Sequence, residues 1–303
     1  MSMETAFKNS VKSILPETWI AGYRLARQGA ASLPDRVLLR VLEALPVKSR
    51  LFLKSNMNLV RKMDYEKHPV FLNIDSIVEY RVRLRSCRKE PEMIEWIETT
   101  MRAGDVLFDV GANVGAYSLV AAKFFQGEVR TYAFEPSFIN FGQLCRNVAL
   151  NGCGECVFPM PVALSDETKV GDFFYFDLLA GGALNAFGEA VNDKGEAFKA
   201  TLKHSLLSFR TDDLIKTFNL PPPTHIKIDV DGLEMKVLEG ARDAIAHPGM
   251  RGLIIELGLP EQADFVVQFM QERGLTLQSK HRRGRKGSMN YVFARKEAAA
   301  SVR

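Results

Sequence analysis

Apolar residues in this chain gather into short runs separated by stretches of helical periodicity. Runs near 105–110, 129–134, 157–163, 224–230 and 252–257 have the length and the β-branched and aromatic content of strands. Between them apolar positions recur every three or four residues, as in the helix expected at about 116–125. Strands alternating with helices predict an α/β fold with helices on both faces of a mostly parallel sheet. A last pair of strands, near 274–280 and 288–295, brings the expected open sheet to seven strands.

Two segments depart from this rhythm. Residues 1–65 read as a helical extension, punctuated by Pro16, Pro34 and Pro46, with an amphipathic stretch from Val37 to Leu45. It is expected to cap the sheet or a second subunit. With Arg36, Arg40, Lys48 and Arg50 nearby, peripheral membrane contact is the alternative. The main domain is expected at 66–297, with a β-rich insertion at about 167–210. Gly171–Phe176 and Leu202–Phe209 read as its strands, and the glycine-rich piece Ala180–Gly188 lies between them. An insertion of that composition is suited to building a substrate pocket or lid.

The candidate chemistry starts at residues 107–118, Leu-Phe-Asp-Val-Gly-Ala-Asn-Val-Gly-Ala-Tyr-Ser. A strand ending near Asp109 runs into a turn holding Gly111, Asn113 and Gly115. Glycine lets backbone approach a ligand, and asparagine tolerates a left-handed conformation. The helix that follows aims free N–H groups into the crevice. The next strand ends in Glu135-Pro136, and an acid roughly 20 residues past such a turn is placed to bind ribose hydroxyls. The turn is not the G-x-G-x-x-G of dinucleotide dehydrogenases.

With Asp109 ahead of Gly111 and asparagine at 113, the turn resembles the first motif of class I S-adenosylmethionine (SAM) methyltransferases. Ala133-Phe-Glu-Pro136, Arg146–Gly152 and Pro161–Asp166 resemble the segments that follow in that fold. Lys89–Trp96, Phe108–Asn113 and above all Ile226–Gly240 resemble the FkbM-type family within it. The resemblance spans about 65–295. It implies a Rossmann-like sheet whose last pair of strands includes one antiparallel member. It also implies SAM as cofactor, bound by Asp109, Gly111, Asn113, Gly115, Glu135, Ser165 and Asp166. A small-molecule or carbohydrate acceptor is implied, such as a sugar, a glycolipid or another natural product.

Methyl transfer from a sulfonium is an in-line displacement that needs alignment above all. A hydroxyl acceptor also needs a base. Asp229 ends the fourth strand, Asp231 and Glu234 follow, and Glu256 ends the fifth. Asp229 is the first choice for base or orienter, then Asp231 and Glu234, one of which could instead cap the next helix. His204 and His225 are alternative bases, although a histidine beside a strand more often serves structure. Asp229 and Asp231 could hold a divalent cation, yet metal-free action is the preferred reading. No proline or aromatic residue follows the fourth strand to grip a flipped base, which favours O-methylation over exocyclic-amine chemistry.

Composition changes this picture little. Apolar residues make up 47%, charged residues 25%, and the net charge is +4, too small to argue for nucleic acid. One dense basic run, 280–287, could clamp an anionic acceptor or serve an RNA methyltransferase. Without interleaved aromatics the RNA reading is the weaker one, and nucleic acid is not an expected partner. A SAM-binding scaffold without turnover is the remaining alternative. No apolar run reaches membrane-spanning length, and the first residues lack a secretory pattern. Four cysteines do not make a disulfide framework, so a cytoplasmic setting is expected. Cys153-Gly-Glu-Cys156 reads as ordinary loop thiols, since no further zinc ligands lie nearby.

Overall fold

The computed structural model describes residues 33–190, 196–282 and 288–295. The chain divides into two compact units, Met1–Leu59 and Val60–Arg303. In the first, α1 (Leu33–Ala44) and α2 (Val47–Asn56) are the described helices. Pro34 falls in the first turn of α1, where its missing N–H leaves no intrahelical bond unmade. The part of the expected extension before residue 33 lies outside the described residues.

The second unit opens with a hairpin, β1 (Val60–Lys62) against β2 (Phe71–Asn73). Three short helices follow: α3 (Ile77–Arg81), α4 (Ser86–Lys89) and α5 (Pro91–Thr100). A capping box on Ser76 and Glu79 starts α3, and Pro91 starts α5 at a position that needs no N–H. This unit begins before residue 66, since the strand partner of Phe71–Asn73 is Val60–Lys62.

The alternating part follows as β3 (Val106–Val110), α6 (Ala116–Phe124), β4 (Arg130–Phe134), α7 (Phe138–Leu150) and β5 (Val157–Met160). Next come β6 (Ala163–Leu164), β7 (Lys169–Tyr175), β8 (Ala186–Phe187), β9 (Leu202–Phe209) and α8 (Thr211–Phe218). The chain closes with β10 (His225–Ile228), α9 (Glu234–Gly240), α10 (Arg242–Ala246), β11 (Gly252–Leu257), α11 (Gln262–Glu272), β12 (Leu275–Arg282) and β13 (Met289–Arg295).

The main sheet has seven strands in the order β12-β13-β11-β10-β3-β4-β5. All run parallel except β13, which is antiparallel to both neighbours. Every residue of β3 is buried, as a strand covered on both faces must be. Successive side chains feed opposite cores. Leu107 packs with Trp96, Leu119 and Leu144 on one face, and Phe108 packs with Phe134, Leu238 and Met270 on the other. From β3 the chain winds outward through β4 and β5, then returns to build β10 and β11 on the other side. The strand order therefore reverses between β3 and β10, and the crevice beyond their carboxyl ends is where ligands bind in such sheets.

The third strand is shorter than the apolar run suggests. Pro161 has no N–H to continue the ladder. After β5 the chain leaves the main sheet, and β6 joins a separate four-stranded sheet, β6-β9-β7-β8. This second sheet is the expected insertion, with β7 and β9 antiparallel over seven residue pairs.

Candidate active site

The turn after β3 is built for close approach. Gly111 and Gly115 have φ of +79° and +88°, and Asn113 sits in the left-handed region at +52°. Gly111 and Ala112 donate backbone hydrogen bonds to Phe134 O, both at 3.0 Å, which ties the turn to the end of β4. A Cβ on Gly111 would lie 2.1 Å from Asp229 O, so no other residue fits there. Gly115 does not face the cavity. It starts α6, and a side chain there would strike Leu144.

Glu135 is held against the same turn. One carboxylate oxygen accepts from Asn113 N at 2.8 Å and the other from Ser137 N at 2.9 Å. Burial pushes this acid up to about 7, even though both N–H bonds and the charges of Lys227 and Arg83 favour ionisation. Each oxygen keeps a lone pair for a ligand hydroxyl.

Beyond β10 lies a row of acids joined by one lysine. Lys227 Nζ lies 2.9 Å from Asp109 Oδ1 and 3.7 Å from Asp229 Oδ2. It also donates to Gly111 O at 2.9 Å. Asp109 is fully buried and accepts a 2.6 Å bond from Ser118 Oγ. It supports the turn from beneath, outside the cavity wall, whereas Asp229, Asp231 and Glu256 line the cavity. Glu234 is buried at the start of α9, with Gly232 N donating to it at 3.1 Å. Burial, reinforced by Asp231 and Asp229, raises it to about 8 against the pull of its N–H bonds. It thus holds the loop after β10 and stands back from the cavity.

The glycine-rich piece of the insertion forms a strap beside this wall. Gly182 O accepts from Asn113 Nδ2 at 2.8 Å and from Asn140 Nδ2 at 3.1 Å. Gly181 O accepts from Arg83 Nε and Nη2 at 2.9 and 2.7 Å, and Ala180 O accepts from Ser76 Oγ at 2.6 Å. At the far end Leu184 N donates to the Asp231 carboxylate. Asn113, Gly182, Ala183 and Asp231 all face one cavity of about 660 Å3.

Four expected side chains stand elsewhere. Ser165 is buried and bonds Asp166 Oδ1 at 2.9 Å; neither faces the cavity, which is lined instead by Val162, Ala163 and Leu164. His225 sits at the amino end of β10, opposite the crevice, near Asp105 and with its ring edge on Trp96. Burial depresses it to about 4. His204 accepts or donates a 3.0 Å bond with Tyr175 OH in the second sheet and is not on the cavity wall. Cys153 and Cys156 are buried free thiols. In the basic run, residues 283–287 lie outside the described residues. Among the described residues no group of three or more His, Cys, Asp or Glu could hold a metal ion.

Sequence reading did not single out Arg83, Lys89, Tyr117, Asn140, Phe173 or Phe187, all of which face the cavity. Lys227 lies inside the Ile226–Gly240 block. A signal for it existed, because a lysine inside Ile226-Lys-Ile228 is out of place in a strand covered on both faces. The others come from distant segments and carry no local mark.

Residues 109–277, from the acid under the turn through the insertion to β12, match the family described as Methyltransferase FkbM domain. The chain belongs to the FkbM methyltransferase family. It is a SAM-dependent methyltransferase, and SAM is its cofactor. Among curated proteins of this kind, the chain is 25% identical to hexuronic acid methyltransferase AglP of Haloferax volcanii, over 66% of this chain and 75% of that one. It is 28% identical to 31-O-demethyl-FK506 methyltransferase FkbM of Streptomyces tacrolimicus, over 58% and 75%. A SAM-dependent methyltransferase from Agrobacterium tumefaciens, of solved structure, shares 11% identity over 78% of this chain and 70% of that one, with a TM-score of 0.46. No helix among the described residues is long and apolar enough to cross a membrane.

Proposed function

We propose that this FkbM-family methyltransferase O-methylates a hydroxyl on a carbohydrate or another small natural product. The observation that carries the proposal is one cavity lined both by the glycine turn with Glu135 and by Asp229, Asp231 and Glu256. Relatives named for a hexuronic acid and for an O-demethyl natural product support the acceptor class.

Bound SAM supplies a methyl group already activated on a sulfonium. The turn at Gly111 and Asn113 would hold its amino-acid end, Glu135 would take the ribose hydroxyls, and Val162, Ala163 and Leu164 would wall the adenine. Asp109, Gly115, Ser165 and Asp166 shape these walls from behind. Asp229 would take the acceptor's proton, and SAM would supply the methyl group, its sulfur keeping the C–S electron pair as a neutral thioether. Asp231 anchors the strap, and Glu234 holds the loop that carries both aspartates.

The methyltransferase domain proposed at 66–297 falls within the unit that starts at Val60. The proposal extends to peripheral membrane contact through α1 and α2, supported by exposed Val37, Leu38 and Phe52 beside Lys48, Arg50 and Lys54. Flotation with anionic vesicles tests that part. A cytoplasmic setting is supported by four free cysteines.

The deciding experiment presents the protein with radiolabelled SAM and a panel of hexuronic acids, neutral glycosides and macrolide alcohols. Label in a methyl ether, lost in Asp229→Asn while S-adenosylhomocysteine (SAH) still binds, supports the reading. Label on nitrogen, or full transfer by Asp229→Asn, overturns it.

A further inference from the structure

Lys227 is a buried cation that the reaction outlined above does not use. It occupies the third position of a four-residue strand whose residues are all buried. A lysine in such a place is costly unless it is paired. Here it is paired three ways, with Asp109 Oδ1 at 2.9 Å, Gly111 O at 2.9 Å and Asp229 Oδ2 at 3.7 Å. It also lies 5.7 Å over the Tyr117 ring.

The three partners belong to different parts of the site. Asp109 is the last residue but one of the buried strand beneath the cofactor turn, Gly111 begins that turn, and Asp229 faces the cavity with a side chain 28% exposed. One ammonium therefore touches the cofactor side and the acceptor side at once. Asp229 has acidic company in Asp231 and Glu234 across its own loop. Lys227 in turn feels Asp109, Asp229 and Glu90. Glu135 feels Lys227 from the turn side, with Arg83 as its further cation.

We infer that Lys227 is a positioning residue that keeps the Asp229 carboxylate ionised and fixes it to the cofactor turn through Gly111. The inference rests on Asp229 being the acceptor-side base. It adds that the base is held by the element that cradles the cofactor. Burial works against charge on Lys227, but Asp109 and Asp229 outweigh it and leave the lysine above its ordinary range, so it stays charged. Without it, Asp229 would lose the cation 3.7 Å away while keeping the acidic company of Asp231 and Glu234, and protonation would become easier.

The test needs no acceptor. Lys227→Met alone leaves Asp109 buried without a cation and can fail to fold. Lys227→Met with Asp109→Asn replaces the buried pair by neutral groups and keeps an acceptor for Ser118. Wild type and the double variant, both loaded with SAH, would be titrated by carbon NMR with labelled aspartate carboxyls, Asp229 being assigned by its loss in Asp229→Asn. The expected result is an Asp229 titration moved upward by about one pH unit or more, with SAH affinity weakened several-fold in the double variant. Asp109→Asn alone, which keeps the lysine, should leave Asp229 titrating at or below its wild-type position. An Asp229 titration that does not move in the folded double variant overturns the inference. The base assignment fails separately, if Asp229→Asn transfers methyl as well as wild type.

Discussion

The backbone of Gly111 and the carbonyl of Asp229 are packed so closely that a single added Cβ would stand 2.1 Å from the carbonyl oxygen. Gly111→Ala should therefore force apart the turn after β3 and the loop after β10, besides straining a φ of +79°. The left-handed backbone costs about 1–2 kcal/mol and overpacking about 1–3 kcal/mol. The variant should melt lower and bind SAH at least tenfold more weakly, as read by calorimetry. Binding equal to wild type would show that the two loops can separate without harm.

Glu135→Gln keeps the shape of the site and an oxygen for one N–H, but it brings a donor where Asn113 N and Ser137 N already point inward. SAM and SAH affinity should fall by about 1–3 kcal/mol, the scale for mismatching buried polar partners. Calorimetry against both ligands measures it. An unchanged affinity would remove Glu135 from the cofactor site.

Asn113→Gly suits the left-handed backbone and removes the side chain, which reaches Gly182 O and accepts from Val114 N. The fold and melting temperature should be nearly preserved. Amide exchange should quicken across 180–184, and SAH affinity should fall by about 1 kcal/mol, one hydrogen bond's worth. Unaltered exchange in the strap would mean that Ser76, Arg83, Asn140 and Asp231 hold it without Asn113.

Glu234 gives stability a pH dependence. Its folded pKa, raised to about 8 by burial, exceeds that of an unfolded glutamate near 4.5. The folded state therefore holds this proton more tightly, so its contribution is complete below about 4.5 and is lost as pH rises toward 8. Glu234→Gln should flatten the melting temperature between pH 5 and about 8, with Gly232 N still satisfied. A wild-type curve that rises through this window, with no change in the variant, would contradict the assignment.

The sheet was legible because its signals are local: apolar runs of strand length, glycines where φ is positive, and a proline that ends each outward strand. Glu135 was placed on the same basis and does face the cavity. What could not be read depends on long-range closure. Asn113 looked like a substitute for a glycine, and its bond to Gly182 spans 69 positions. Ser165 and Asp166 follow a run that reads as a main-sheet strand, but Pro161 turns the chain into the second sheet first. Asp231 and Glu234 carry the same charge as Asp229 in sequence. In space Asp231 is set apart by the N–H of Leu184, and Glu234 by burial and the N–H of Gly232.

The second sheet is entered and left at almost one point. Ala163 and Leu164 on the way in lie beside Ser208 and Phe209 on the way out, paired in parallel. A segment whose ends are neighbours can lengthen, shorten or change its lining while the seven-stranded sheet and its cofactor turn stay closed. The seam at β6 and β9 is in that sense a splice site of the fold, where the cavity wall that carries Phe173 and Phe187 can be exchanged without rewriting the turn after β3.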